Sequence, residues 1–254
     1  MKKIFRKLTL TIVLILVLAS CSSTNKIHDS AEAHYKLGLS YLDANEDAIA
    51  MREFKRALNM SPNDHRIYYA IATFYLKKNQ IDMAKDNVLK AISIDPDNSE
   101  YLNTYASILA SQGKQKEAIK VWEKVEKDPT YPSLGVVYYN MGFASYQLQW
   151  YDKAIEYWNK SINENPNVIR PYISLYQLFI TLNDLNKAED VLKRGINRNP
   201  LSPTLKLELA KFYYERGLFE NAAILFNDII DVSPNSDEAS IARTYLRNMG
   251  LYYE

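Results

Sequence analysis

"AEAHYKLGLSYLDANEDAIAMREFKRALNMSPND", residues 31–64, decides the fold. Counted from Ala31 as slot 1, it sets Leu37 and Gly38 at slots 7 and 8, Tyr41 at 11, Ala50 at 20, Phe54 at 24, Ala57 at 27 and Pro62 at 32. Stepping 34 residues on, the same slots hold Ile71, Ala72, Tyr75, Ala84, Val88, Ala91 and Pro96. Self-similarity at a fixed period marks a repeat architecture, in which no unit can bury its apolar face alone and stacking creates the core.

The pattern continues. A third copy gives Tyr105, Ala106, Leu109, Ala118, Trp122 and Val125, and a fourth gives Met141, Gly142, Ser145, Ala154, Trp158, Ser161 and Pro166. Ala188, Leu192 and Pro200 mark a fifth copy; Leu209, Ala210, Tyr213, Ala222, Phe226 and Pro234 mark a sixth. Gly or Ala at slot 8 lets a first helix approach its partner closely, Ala at slot 20 does so from the second helix, and the bulky slots fill the space between. Pro at slot 32 stops the second helix. These slots resemble the tetratricopeptide repeat, a pair of antiparallel helices. The expected fold is all-α: a tetratricopeptide-repeat superhelix of six helix pairs at 31–64, 65–98, 99–134, 135–168, 169–202 and 203–236. Residues 237–254 follow as a C-terminal capping helix, with Ala239, Ile241, Ala242, Tyr245 and Leu246 facing the last repeat and Gly250 ending it.

The N-terminus reads as an export signal. Lys2, Lys3, Arg6 and Lys7 precede an apolar run, Leu8 to Leu18, that is shorter than the roughly 20 residues a spanning helix needs. "LASC" at 18–21 resembles a bacterial lipobox, which implies removal of 1–20 and lipidation of Cys21, the only cysteine in the chain. Several acyl chains on one residue give stable anchoring. Ser22 after the cysteine resembles lipoproteins sorted to the outer membrane, and 21–30 forms a lipidated polar tether.

Composition excludes several functions. With 31 Lys+Arg against 30 Asp+Glu, no basic stripe calls for nucleic acid. Without residues 1–20 the formal charge becomes −3, so attachment to anionic lipid rests on the covalent lipid. A lone cysteine precludes an internal disulfide and a multi-thiolate metal cluster. None of His28, His34 and His65 sits in an H-E-x-x-H helix, and no Gly-rich phosphate loop occurs. "DPDNSE" at 95–100 lacks the glycine and distal glutamate of a calcium loop and reads as a turn with a helix N-cap, like "SPNDH" and "NPNVI". No catalytic residue, metal or cofactor is expected.

The third copy departs from the period. It ends "EKDPTYPSLG", two residues long, with Pro129 and Pro132 bracketing Tyr131 in a rigid turn. A lipobox, six repeats, this "DPTYP" stretch and the helix "VVYYNMGFASYQLQWYDKAIEYW" together resemble the type IV pilus biogenesis lipoproteins called pilotins, the PilF/PilW group. That resemblance covers essentially the whole chain after residue 20 and implies a lipid anchor at Cys21, a place on the periplasmic face of the outer membrane and secretin subunits of the type IV pilus as partners. The alternative is a tetratricopeptide lipoprotein that scaffolds peptidoglycan hydrolases or the outer-membrane protein assembly machinery.

In a stack of helix pairs the first helix of each repeat lines the inner wall. Slots 5, 9 and 12 are expected to face it: Tyr35, Leu39 and Leu42; Tyr69, Thr73 and Leu76; Tyr139, Phe143 and Tyr146. A wall of Tyr, Leu and Phe suits a peptide or amphipathic segment. Slot 9 offers no Asn, which excludes the carboxylate clamp of chaperone-binding repeats.

Overall fold

The computed structural model describes residues 30–251, which form thirteen α-helices and no strand. The stretch read as a lipobox, with Cys21 and Ser22, lies outside the described residues. The helices are α1 (30–43), α2 (Asp47–Met60), α3 (His65–Lys77), α4 (Ile81–Ile94), α5 (Ser99–Ser111), α6 (Gln115–Val125) and α7 (Leu134–Gln147). They continue with α8 (Tyr151–Glu164), α9 (Arg170–Thr181), α10 (Leu185–Arg198), α11 (Pro203–Glu215), α12 (Phe219–Val232) and α13 (Asp237–Asn248). The described residues form two compact units divided between Gly113 and Lys114, so α1–α5 belong to the first and α6–α13 to the second. Among the described residues no helix is long and apolar enough to cross a membrane.

Slot 20 is buried in every copy, as Ala50 and Ala84 in the first unit and Ala118, Ala154, Ala188 and Ala222 in the second. In the first unit Phe54, Ile67 and Ile71 share one core cluster, and Ala72, Val88, Tyr101 and Ile108 share another. In the second unit one cluster runs from Ala154 to Leu246 and includes Trp158, Leu175, Phe212 and Phe226. Helix starts are fixed by side chains: Asp64, Asn98, Asp184, Ser202 and Ser236 each accept a first-turn amide. Ile169, before α9, makes no such bond; Pro171 in the first helical turn serves that start instead.

The turn inside each repeat has its own signature. Slot 15 lies in the left-handed region in all six copies, as Asn45, Asn79, Gly113, Gln149, Asn183 and Gly217. Around it the slot 16 amide bonds back to the slot 11 carbonyl, for example Glu46 to Tyr41 at 2.8 Å and Trp150 to Ser145 at 2.9 Å. This is the Schellman arrangement, which satisfies the last carbonyls of the first helix. Gly250 at φ 70° repeats it after α13, with Leu251 bonding back to Leu246. Gln149 at φ 59° is the residue least suited to this backbone. Gln149→Gly is therefore expected to raise the unfolding free energy by up to about 1 kcal/mol in urea titrations, since relief of left-handed strain exceeds glycine's entropic cost.

Two expected core contacts are absent. Leu37 is 43% exposed because slot 7 packs on a preceding helix pair, and no repeat precedes it among the described residues. Ile241 is 39% exposed, while Ala239, Ala242 and Leu246 make the buried face of α13 and the Tyr245 ring stacks on Phe226 at 5.0 Å.

Candidate partner-binding surface

In the first unit, Tyr35, Leu39 and Leu42 on α1 and Tyr69, Thr73 and Leu76 on α3 are all half-buried. Their tyrosines tie neighbouring first helices together. The Tyr35 ring packs on Phe54, and the Arg66 guanidinium of α3 lies 5.2 Å from its centroid. Tyr69 packs on Tyr101 of α5, 4.6 Å between centroids, and its hydroxyl donates to Glu100 at 2.8 Å. Burial raises the phenols of Tyr35 and Tyr101, the latter to about 12. Thr73 bonds its own helix at Ala70. This surface is already committed in large part to holding the repeats together.

Arg66 is itself fixed by Asp64 at 2.7 Å and by Glu32, exactly one repeat earlier, at 2.9 Å. Burial pushes both carboxyls up, but the bonds to Arg66 hold them below the usual carboxylate range. A depressed folded pKa means stability that is present above the unfolded value and lost as pH falls through the folded one. Loss is therefore expected below about pH 4, and Arg66→Gln is expected to shallow it in denaturation curves taken from pH 7 to pH 3. Identical pH profiles for the two proteins would contradict this assignment.

The second unit presents a different surface on α7. The two-residue insertion anchors its start: Tyr131 and Leu134 are buried, and Asp128 accepts the amide and hydroxyl of Thr130. Beside that turn Pro132, Gly135, Val136, Tyr139, Val168 and Arg170 contribute to a cavity of about 370 Å³. α7 is apolar on both sides. Val137, Tyr138, Met141 and Ala144 are buried, while Val136 (55%), Phe143 (48%) and Tyr146 (37%) are exposed and Tyr139 is half-buried. Residues 136, 139, 143 and 146 recur at helical spacing and form one apolar stripe.

The stripe is held rigidly from beneath. A Cβ at Gly142 would stand 2.5 Å from two atoms of the Trp158 ring, so only glycine admits the indole at this distance. Trp158 is 2% exposed and its Nε1 donates to the Tyr139 carbonyl at 3.2 Å. The Tyr146 ring sits 6.0 Å from both Trp158 and Tyr151. Gly38 meets Phe54 in the same way, with a Cβ again 2.5 Å from the ring.

Of the nine predicted surface residues, then, only Phe143 and Tyr146 are open. Ile180, slot 12 of the fifth copy, is also 38% exposed, and following slot 12 through every copy would have found it. Buried charges were not foreseen: Glu53 receives His34 (2.6 Å), Arg56 (2.9 Å) and Arg52 (3.3 Å), and Lys206 pairs with Asp228 at 2.6 Å. Against burial, the bonds from His34 and Arg52 keep the Glu53 carboxyl below its ordinary range. These groups close repeat pairs internally. Among the described residues no group of three or more His, Cys, Asp or Glu is placed to hold a metal ion.

Tetratricopeptide-repeat family models match residues 31–64 and 65–98, 88–120, 135–168 and 176–237. The chain belongs to the tetratricopeptide-repeat family. Between residues 31 and 237 only 121–134, which contains the insertion, and 169–175 stay unmatched. The type IV pilus assembly protein PilF of Pseudomonas aeruginosa is 27% identical over 197 residues, 76% of this chain and 78% of that one. The solved structure of that pilF has a TM-score of 0.66 at 21% identity, covering 89% of this chain and 100% of its own. PilW, described as a widely conserved type IV pilus biogenesis factor, gives 0.65 at 22% identity, covering 83% and 97%. At these identities the structural likeness shows the fold, and the sequence match carries the resemblance to pilus biogenesis proteins.

Proposed function

We propose that this chain is a lipid-anchored, periplasm-facing protein-binding scaffold, a pilotin that promotes outer-membrane localisation and multimerisation of the type IV pilus secretin. The observation that carries the reading is the match to a type IV pilus assembly protein across about three quarters of both chains. The lipobox supports the anchor at Cys21 and the outer-membrane address, and the exposed stripe on α7 supplies an apolar surface of the kind that proteins use for partners. Binding, and not catalysis, is the work assigned to this fold.

The experiment is to measure heat- and detergent-resistant secretin multimers in outer-membrane fractions with and without this gene. Loss of multimers with monomer persisting is the expected result. Unchanged multimers would reject the pilus role and favour the scaffold for peptidoglycan hydrolases or outer-membrane protein assembly. Cys21→Ala is expected to release a folded protein into the soluble fraction, with native helicity, because no repeat slot uses that residue.

A further inference from the structure

Slot 26, on the second helix, is basic in five copies: Arg56, Lys90, Lys124, Lys160 and Arg194. In the second unit Lys160 is neutralised twice, by Glu126 of the preceding repeat at 2.9 Å and by Glu156 at 3.0 Å. One repeat later the arrangement changes. Ile162 stands where Glu126 stood, and among the described residues the Arg194 guanidinium bonds only the Asn159 amide oxygen, at 3.2 Å. Arg198, one turn further along α10, adds a second guanidinium. The side chains of Arg198, Asn163 and Asn197 make no hydrogen bond or ion pair among the described residues.

These five polar side chains line a cavity of about 780 Å³ between α8 and α10, and no acidic residue lines it. Tyr172, Pro166 and Ile162 complete the wall. Burial raises the Tyr172 phenol while Arg194 and Arg198 oppose the rise, which puts both guanidinium groups within electrostatic reach of the ring. Gly195 permits this geometry, since its Cβ would come within 3.1 Å of the Tyr172 ring. The result is a pocket with two guanidinium groups, one held by Asn159 and one without a side-chain partner, and the uncommitted amide donors of Asn163 and Asn197.

We propose that this pocket binds the phosphate group of a small phosphorylated ligand. One arginine already satisfies a carboxylate through its paired N–H groups. Two arginines with the amides of Asn163 and Asn197 suit a group carrying up to two charges and three acceptor oxygens, Asn159 being committed to Ile155 and Arg194. The remaining volume accommodates the organic part of the ligand against Tyr172 and Ile162. Two sources offer a phosphate group, a soluble phosphate monoester with up to two charges and three free oxygens and the phosphodiester of a lipid headgroup with one charge and two.

The test is calorimetric titration of the full chain in detergent with inorganic phosphate, glycerol phosphate and glycerophosphoglycerol, with acetate as the carboxylate control. Saturable binding of a phosphate probe is expected, weakened about tenfold or more by Arg198→Gln, the worth of one charge-assisted hydrogen bond. Asn163→Asp, which adds a negative charge to the pocket, is expected to abolish it. Both positions are exposed, so far-UV circular dichroism should be unchanged. Preference for glycerol phosphate assigns a soluble ligand, and preference for glycerophosphoglycerol assigns a lipid headgroup. Equal binding of acetate, no saturable binding, or indifference to Arg198→Gln overturns the proposal.

Discussion

Gly142→Ala is expected to destabilise the protein, and the same substitution made in a Trp158→Ala background is expected to stabilise it. In the native structure the new methyl would stand 2.5 Å from the indole. The ring cannot swing aside cheaply, because it is buried and donates to the Tyr139 carbonyl. Overpacking of this kind costs about 1–3 kcal/mol, against which alanine's better helix propensity returns about 1 kcal/mol. Trp158→Ala alone should cost about 3–5 kcal/mol through the lost burial and the cavity left behind. Once the ring is gone the methyl meets no clash and partly fills that cavity, so only the propensity gain remains. Urea unfolding of the four proteins in a double-mutant cycle measures the coupling. An equal cost for Gly142→Ala in both backgrounds would show that the close approach does not govern this site. The Gly38 and Phe54 pair repeats the geometry in the first unit and should repeat the sign reversal.

That reversal expresses what the sequence made legible. Alanine at slot 20 and a bulky apolar residue at slot 24 recur in all six copies, while slot 8 is small in all but the fifth (Tyr176) and slot 32 is proline in all but the third (Thr130), so the repeat could be read from residue types alone. Slot 15 escaped because its left-handed backbone is filled by Asn, Gln or Gly in different copies, and only the shared conformation unites them. The buried charges escaped for a related reason. Lys206 at slot 4 meets Asp228 at slot 26, whereas in the fourth copy Lys160 at slot 26 lies over the Tyr138 ring at slot 4, so the same pair of slots makes an ion pair in one copy and a cation–ring contact in another. Exposure was the hardest property to foresee. Tyr35, Tyr69 and Tyr139 share slot 5 and are all half-buried, the first two beneath Arg66 and Tyr101 from adjacent first helices, whereas Leu39, Thr73 and Phe143 share slot 9 and only Phe143 is left open. What covers a wall residue is set by the next repeat, 34 positions away, and by no feature of the residue itself.

Phe143→Ala combined with Tyr146→Ala is expected to remove most of the partner affinity while leaving the fold intact. Exposed aromatic side chains on a rigid helix lose little conformational freedom on binding, and residues of this kind dominate interface energies. If each contributes about 2 kcal/mol, the double substitution weakens binding by roughly three orders of magnitude. The cost to folding is smaller: Phe143 is an exposed side chain worth about 0.5 kcal/mol or less, and Tyr146 forfeits ring contacts to Trp158 and Tyr151 worth about 1 kcal/mol. The contrasting variant, Tyr35, Tyr69 and Tyr139 all to Ala, should lose stability as well as binding, since all three are half-buried against repeat cores. Secretin multimer yield in a strain lacking the wild-type gene, measured beside thermal unfolding of each protein, separates the two effects. The complete deletion fixes the baseline, so a wrong partner and a wrong surface give different results. If deletion abolishes multimers but the Phe143 and Tyr146 double variant restores them fully, the partner binds elsewhere and the stripe on α7 is not its site. If the double variant fails with a native melting curve, the apolar face held in place by Gly142 and Trp158 is the surface on which the partner is caught.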